Sequence, residues 1–137
     1  MGKPTARMGN SIVNAGDIHV VLIPSPTGPV PTPMPFPFSG KVALDTSFNV
    51  RINGRSGAFV GSMAQNMSPH IPYSGVFQEP PTNLGRVVMG SASVRINGRS
   101  APRADDRCET CHDLPPAGPQ APTPTVVVTG LPDVFIG

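Results

Sequence analysis

The heptapeptide VRINGRS occurs twice in this chain, at residues 50–56 and at residues 94–100, and the two copies are identical. Val and Ile alternate with Arg in each copy, which is the period-two pattern of a strand with one buried face. The Asn-Gly pair that follows is the strongest short signal for a type I′ hairpin turn. Each copy therefore predicts a tight β-hairpin.

The repeat extends beyond these two hairpins. The closing segment TGLPDVFIG, residues 129–137, has the outline of GSASVRING, with a Gly, a turn and then Val134, Ile136 and Gly137. The segment ARMGN near the N-terminus resembles the small-residue stretches that follow the two heptapeptides. A single short hairpin is at best marginally stable in water, and repeated units bury a core only together. We therefore expect three units, circularly offset along the chain, around a pseudo-threefold axis.

Proline and glycine are unusually frequent in the 137 residues, with 19 and 15 copies. Both residues disfavour helix interiors, so the chain is expected to be all-β. Charged residues make up only 13% of the chain, whereas disordered chains normally have more charge and fewer branched apolar residues. The length fits a single ordered domain over residues 1–137.

Residues 23–40 contain a proline at positions 24, 26, 29, 31, 33, 35 and 37. This density of prolines predicts polyproline II, an extended conformation that loses little conformational entropy when the chain folds. We expect an extended loop packed on the body, with Phe36 and Phe38 as anchors. A surface loop or a linker to a partner domain is the alternative. A similar segment at residues 69–83 occupies the equivalent place in the second unit.

The formal net charge is +2, and the basic residues are scattered through turns. A nucleic-acid partner is therefore not expected, because such binding requires a concentrated basic surface. The first ten residues lack the apolar region of a secretory signal, and the longest apolar run, near residues 18–23, is too short to cross a bilayer. We expect the chain to be made in the cytoplasm.

Metal-binding residue types are few, with three histidines and two cysteines. His19, His70 and Cys111 each follow one of the three units at a nearly equivalent distance, so the expected axis brings them together. Imidazole and thiolate are ligands of tetrahedral zinc sites, and structural zinc stabilises small folds that lack a large core. The sequence therefore predicts one structural zinc ion.

Other interpretations of the same residues stay open. In one of them His19 and His70 are unrelated loop histidines, and Cys108 and Cys111 are thiols or a local disulfide. The string CETCH also matches the c-type haem attachment pattern. Haem binding, however, requires a distal ligand and usually a helical chain, which this composition does not favour.

The sequence contains no recognisable catalytic motif. Its eight acidic residues show no paired spacing, no G-x-S-x-G is present, and no glycine-rich loop leads into a helix. A hydrolytic zinc site needs an open coordination position and a nearby glutamate base, for which Glu109 is the one candidate. We therefore expect a protein that is not an enzyme. The alternatives are a small zinc-dependent hydrolase effector and a polyproline-bearing adaptor.

The repeats resemble the proline-alanine-alanine-arginine repeat (PAAR) family, the tip proteins of contractile injection machines. The resemblance rests on ARMGN, GSASVRINGRSAPRADD and PDVFIG, and it covers essentially the whole chain. HVVLIPSPTGPVPTPMPFPFSG and PHIPYSGVF are similar to the subgroup with long proline-rich loops. The family signature is altered here, to RSAPRADD in one unit and to RSGAFVGS in another.

The resemblance implies a small β-cone with zinc near its apex, bound by His and Cys. Members of the subgroup often have a further His where this chain has Phe36, so the fourth ligand has to come from elsewhere. The implied ligands are His19, His70, Cys111 and, in the fourth place, Cys108, with His112 as the competitor.

The function that the resemblance implies is structural. One tip protein caps the end of a trimeric β-helical spike and sharpens it for puncture of a target membrane, and effector cargo is a further candidate partner. We expect the protein at the tip of the injection apparatus, delivered outside the cell or into a target cell, with no effector domain after the last repeat. The resemblance does not distinguish among three kinds of machine, which are type VI secretion, an extracellular injection particle and a phage tail. Arg51 and Arg95 of the two heptapeptides are expected at the docking surface.

Overall fold

A computed structural model describes residues 2–111, 124–128 and 134–137. These residues form strands, turns and loops and contain no helix, so the all-β prediction is confirmed. Nothing among them is a helix long and apolar enough to cross a membrane. The strands are β1 (Lys3–Pro4), β2 (Ser11–Ile23), β3 (Val30–Leu44), β4 (Arg51–Ile52), β5 (Arg55–Ser56), β6 (Met63–Asn66), β7 (Val76–Phe77), β8 (Leu84–Val87), β9 (Arg95–Ile96), β10 (Arg99–Ser100), β11 (Cys108–Glu109), β12 (Thr125–Val127) and β13 (Phe135–Ile136).

Seven of the strands form one curled antiparallel sheet. Six of them follow the order β11-β8-β6-β3-β2-β12, and β7 pairs with β2 beside this path. The two end strands of this path, β11 and β12, also contact each other. Cys108 N donates to Pro124 O at 2.9 Å, and Arg107 forms an isolated antiparallel β-bridge with Thr125. The two ends of the path therefore meet, and the sheet encloses a core on one side.

The main core is built from alternating residues of these strands. Three cross-strand pairs are fully buried in equivalent positions: Ile12 with Val126, Ala64 with Val42, and Cys108 with Val87. Phe38 belongs to the same apolar cluster. Burial of every second residue is what a sheet with one enclosed face requires. Cys108 thus occupies the position of an apolar core residue.

Both copies of VRINGRS form the predicted hairpins, β4 with β5 and β9 with β10, in the same register. The turn residues have positive φ angles, which are 50° at Asn53, 79° at Gly54, 51° at Asn97 and 81° at Gly98. Positive φ at both central residues defines the type I′ turn, which Asn-Gly favours. Ile52 and Ile96 pack together with Ala101 in a second, smaller core cluster.

The first and last described strands form a third pair of the same kind. In this pair β1 lies antiparallel to β13, with Lys3 opposite Ile136, just as Arg55 lies opposite Ile52 within its hairpin. Ile136 also packs against the second core cluster. The segment expected to form the third unit, residues 129–137, is described from residue 134 onward, and its partner strand comes from the N-terminal end of the chain.

Hydrogen bonds recur three times in the same order along the chain. Three turns are each closed by a side chain three residues ahead: Arg7 N donates to Asn10 Oδ1 at 2.8 Å, Phe59 N to Ser62 Oγ at 3.0 Å and Arg103 N to Asp106 Oδ2 at 2.7 Å. Three backbone bonds run from these turns to short strands: Met8 N to Ser56 O, Val60 N to Ser100 O and Ala104 N to Pro4 O. These bonds reach β5, β10 and β1 in turn, so the same contact occurs three times in the described part of the chain.

From Val30 onward the proline-rich segment lies in strand β3, so the expectation of a polyproline II loop was wrong for these residues, whereas residues 24–29 form the turn before β3. β3 pairs with β2 from Val30 opposite Ile23 to Lys41 opposite Ser11, whereas pairing with β6 begins only at Gly40. The prolines at positions 31, 33, 35 and 37 are exposed. Phe36 and Phe38, at 2% and 1% exposure, do anchor the segment as expected.

The physical reason is the period of the prolines. Proline at every second position leaves the alternate residues able to donate N–H groups to one neighbouring strand, and an open edge tolerates the prolines. Polyproline II has a period of three, which does not match the alternation of proline with Met34, Phe36 and Phe38. The adaptor hypothesis needed a polyproline II helix, and residues 30–38 do not form one.

Candidate metal centre

A bulge in β2 brings two potential metal ligands to the enclosed face of the sheet. The register of β2 against β3 shifts between Asn14 and Asp17. Ile12 and Asn14 are buried before the shift, and Asp17, His19 and Val21 are buried after it. The buried positions change from even to odd numbers, because the extra residue of a bulge reverses the alternation of side chains. Asp17 and His19 are both 0% exposed as a result.

The other two ligand candidates lie on loops that follow shorter strands. His70 follows β6, and its backbone N–H donates to Asn83 Oδ1 at 2.9 Å. Its ring is held by the Asn66 amide, whose Nδ2 lies 3.4 Å from His70 Nδ1. Cys111 follows β11 and packs against the main core cluster. These contacts direct both side chains towards β2.

The ligand atoms of Asp17, His19, His70 and Cys111 all lie within 4.8 Å of one another. His70 Nε2 is 3.2 Å and Cys111 Sγ is 3.3 Å from Asp17 Oδ2, and Cys111 Sγ is 3.5 Å from His19 Nε2. Around a tetrahedral zinc ion with bonds of about 2.0–2.3 Å, neighbouring ligand atoms are about 3.3–3.8 Å apart. This cluster could therefore bind a metal ion with little movement of its side chains.

The two carboxylate oxygens of Asp17 have different surroundings. Oδ1 accepts hydrogen bonds from Asn14 Nδ2, at 2.8 Å, and from the Thr110 hydroxyl. Oδ2 faces His70 Nε2 and Cys111 Sγ. The side chain is therefore held through one oxygen, and the other oxygen points at the neighbouring ligand candidates.

Burial shifts the pKa of two of the ligand candidates, His70 and Cys111, in the protein without a metal. It lowers the pKa of His70 from the usual 6.5, although the hydrogen bond to Asp17 and the negative charge of Asp17 act in the opposite direction. Burial first, and then the charge of Asp17, raises the pKa of the Cys111 thiol to about 12. At neutral pH Cys111 is therefore a thiol, and a metal ion must displace its proton to bind the thiolate.

Aromatic side chains surround the two imidazoles. The ring centroid of Phe36 lies 5.9 Å from that of His19 and 5.5 Å from that of His70. Phe77 lies 5.8 Å from His19, and Tyr73 stacks on Phe36 at 5.1 Å. Such a wall limits the access of water and strengthens electrostatic contacts inside the cluster. Phe36 therefore packs against the ligand candidates and offers no donor atom itself.

Three of the four expected ligands, His19, His70 and Cys111, lie in the cluster. Cys108 lies elsewhere, because its side chain belongs to the apolar core and its Sγ is 3.7 Å from the backbone oxygen of Asp106. Burial, followed by the charge of Asp106, raises the pKa of the Cys108 thiol to about 12. His112, the competing candidate, lies outside the described residues.

The sequence analysis missed Asp17. Residues two positions apart in a strand share a face, so the spacing of Asp17 and His19 was the signal available. The bulge that brings this face inward has no comparable signal, since it arises in the pairing of β2 with β3.

Glu109, the one candidate for a hydrolytic base, is exposed and pairs with Arg86, whose Nη2 lies 3.3 Å from Glu109 Oε2. It does not belong to the group of ligand candidates in the described part of the chain. The geometry of these residues therefore offers no support for a hydrolase.

Comparison of the chain with protein-family models, with curated proteins and with solved structures found no match. The function therefore has to be argued from the fold and from the cluster itself.

Proposed function

We propose that this protein is the tip of a contractile injection machine: a small cone that caps a trimeric β-helical spike and is stabilised by one structural zinc ion. Its main support is the threefold recurrence within one chain. Three strand pairs share one register, and three backbone bonds from the turns reach β5, β10 and β1 in turn. The resemblance of the repeats to the PAAR family supports the same function.

The recurrence suits a partner with true threefold symmetry. Symmetric assemblies use the same surface several times, and a single chain with three similar units can match three identical subunits. One copy of this chain per spike trimer is the expected ratio. The protein would then reside at the end of the injection apparatus and meet the target membrane there, and effector cargo stays a further candidate partner.

The docking surface in this proposal is the hairpin layer, which consists of β1, β4, β5, β9, β10 and β13. Arg51 and Arg95 are exposed at equivalent positions, and Phe135 in the third pair is 56% exposed. The two guanidinium groups donate to Gly54 O and Gly98 O of their own turns. Short strand pairs with open edges offer backbone groups that another β structure can extend.

Zinc is the metal that we assign to the cluster. Imidazole, thiolate and carboxylate are its usual protein ligands, and four of them fill a structural site completely. Such an ion contributes on the order of 10 kcal/mol to the folding of a small domain. It would connect β2 with the loops after β6 and β11 and so keep the tip rigid under load.

The stoichiometry of the spike complex tests the capping function. The chain is mixed with a trimeric β-helical spike protein from a contractile injection machine of the same organism, and the mass of the complex is measured by light scattering. One chain per trimer is expected.

Charge reversal tests the docking surface. Arg51→Glu combined with Arg95→Glu should weaken the complex and leave zinc content and melting temperature unchanged. The matched control is Lys41→Glu combined with Arg107→Glu, which reverses two exposed charges outside the hairpin layer. Normal capture by the first variant and weak capture by the control would show that the docking surface lies elsewhere.

A further inference from the structure

We infer that Asp17 is the fourth ligand of the metal ion, through Oδ2, and that Asn14 and Thr110 are positioning residues that hold its other oxygen. The inference rests on the metal of the proposed function and does not depend on the spike. It differs from the ligand set expected from the sequence, in which Cys108 or His112 completed the site.

The first argument is that the two carboxylate oxygens of Asp17 have different contacts. A carboxylate that binds zinc through one oxygen usually has hydrogen bonds on the rest of its surface, which fix its orientation. Asn14 and Thr110 occupy Oδ1, so the remaining oxygen is the one that lies 3.2 Å from His70 Nε2 and 3.3 Å from Cys111 Sγ. Asp17 is thus already oriented as a ligand.

Charge is the second argument. The Asp17 carboxylate and a Cys111 thiolate together balance the two positive charges of zinc, while both imidazoles bind in their neutral form. Asp17 and His19 are 0% exposed and His70 is 8% exposed. A buried site with no net charge avoids the large cost of burying an unbalanced one.

The position of Cys108 is the third argument. Cys108 pairs with Val87 in the sheet and packs in the main core cluster. Its place is equivalent to those of Ile12 and Ala64, which pair with Val126 and Val42. To bind the ion, Cys108 would have to leave this packed position, whereas Asp17 would not have to move.

Asn14 and Thr110 occupy a place that recurs in the repeats, and Asn66 occupies the same place beside His70. Asn14, Asn66 and Thr110 each stand two residues after one of the equivalent core residues Ile12, Ala64 and Cys108. Asn14 and Thr110 contact Asp17, and Asn66 contacts His70. Each repeat thus supplies one polar side chain between the apolar core and the ligands.

The test combines zinc affinity, measured by competition with a chromophoric chelator, with the absorption spectrum of the cobalt(II) form. The wild-type chain should bind one ion with the charge-transfer band of a single cobalt–thiolate bond. Asp17→Ala should weaken zinc binding by about 100-fold or more and alter the visible cobalt bands, and Asp17→Asn, which keeps the shape of the side chain, should do so too.

Asn14→Ala and Thr110→Val should each cost about 10–100-fold in affinity. Thr110→Ser keeps the hydroxyl and should bind like the wild type.

Cys108→Ala and His112→Ala are the matched controls, since each removes a competing donor and leaves Asp17 in place. Both should keep the wild-type cobalt spectrum and zinc affinity. Loss of thiolate absorption in Cys108→Ala, altered visible bands in His112→Ala, or wild-type affinity in Asp17→Asn would overturn the inference. These controls also decide the matter if Asp17→Ala does not fold. If the chain caps the spike without binding metal, the inference on Asp17 is wrong and the capping function stands. If the chain binds metal through Asp17 but does not cap the spike, the inference stands and the capping function is wrong.

Discussion

The hairpin layer and the metal cluster are built in opposite ways. In the hairpin layer one seven-residue sequence forms the same strand pair twice, and β1 and β13 form it a third time. In the cluster four residues between positions 17 and 111 meet once. The two complete hairpins depend on hydrogen bonds between residues a few positions apart, whereas the cluster depends on contacts between distant parts of the chain.

The difference shows where repetition is useful. Three equal units can present three equal edges, but one residue from each cannot supply the four ligands of a tetrahedral ion. The chain departs from its repeat at the cluster. β2 and β3 have 13 and 15 residues, whereas the other strands of the curled sheet have two to four. The bulge in β2 then places Asp17 beside His19 on the enclosed face.

Removal of the metal should have the largest effect and should separate the two regions most clearly. A strong chelator is expected to lower the free energy of unfolding by several kcal/mol, up to about 10 kcal/mol. Hydrogen exchange followed by mass spectrometry should speed up first in β2 and β3 and only later in the hairpins. Loss of protection in both regions at the same time would show that they unfold as one unit.

Truncation of the apolar residues in the hairpin layer should come next. Ile52 and Ile96 are 7% and 6% exposed, and replacement of either by Ala should cost about 2–5 kcal/mol of unfolding free energy. Denaturant titration of the metal-loaded protein measures this cost. The control is Val30→Ala in β3, a position that is 46% exposed, with an expected change within about 0.5 kcal/mol. Clearly unequal costs for the two isoleucines would mean that the two hairpins differ in energy despite their identical sequences.

A smaller effect is expected at the hairpin turns. Gly54 and Gly98 have φ angles of 79° and 81°, and a Cβ added at either would meet no atom within 4 Å. The cost of Gly54→Ala or Gly98→Ala is therefore conformational, about 1–2 kcal/mol, and zinc affinity should not change. Gly137→Ala is the control, because its added Cβ also meets no atom within 4 Å and its φ is not in the left-handed region. A large loss of zinc affinity in either turn variant would show that the two regions are coupled.

A small change in pH is the mildest test of the cluster. The raised pKa of Cys111, about 12, keeps this thiol protonated in the metal-free protein, and the lowered pKa of His70 keeps its imidazole neutral. Zinc binding should therefore release the proton of Cys111 near neutral pH, and this release makes affinity fall about threefold from pH 7.5 to pH 7.0. Titration in the presence of a pH indicator counts the protons. A proton count that falls by one in Cys108→Ala would indicate a second thiol and would favour Cys108 as a ligand.

Two expectations of the sequence analysis differ from the packing in the structure, and for the same reason. The proline-rich segment was expected to be a loop, and Cys108 was expected to be a ligand. Both expectations rested on residue type and on how many residues of that type lie close together in the sequence. Whether residues 30–38 form a strand depends on β2 as a partner, and whether Cys108 faces the core or the cluster depends on its register with Val87. Neither partner is close in sequence.

The sequence by itself determined the all-β class, the two Asn-Gly hairpins and three members of the cluster. These follow from backbone preferences within a few residues and from the small number of His and Cys side chains. Tertiary structure decided the long β2–β3 pair, the bulge, the place of Asp17 and the burial of Cys108. A strand can turn either face inward, and only its pairing with distant strands selects one.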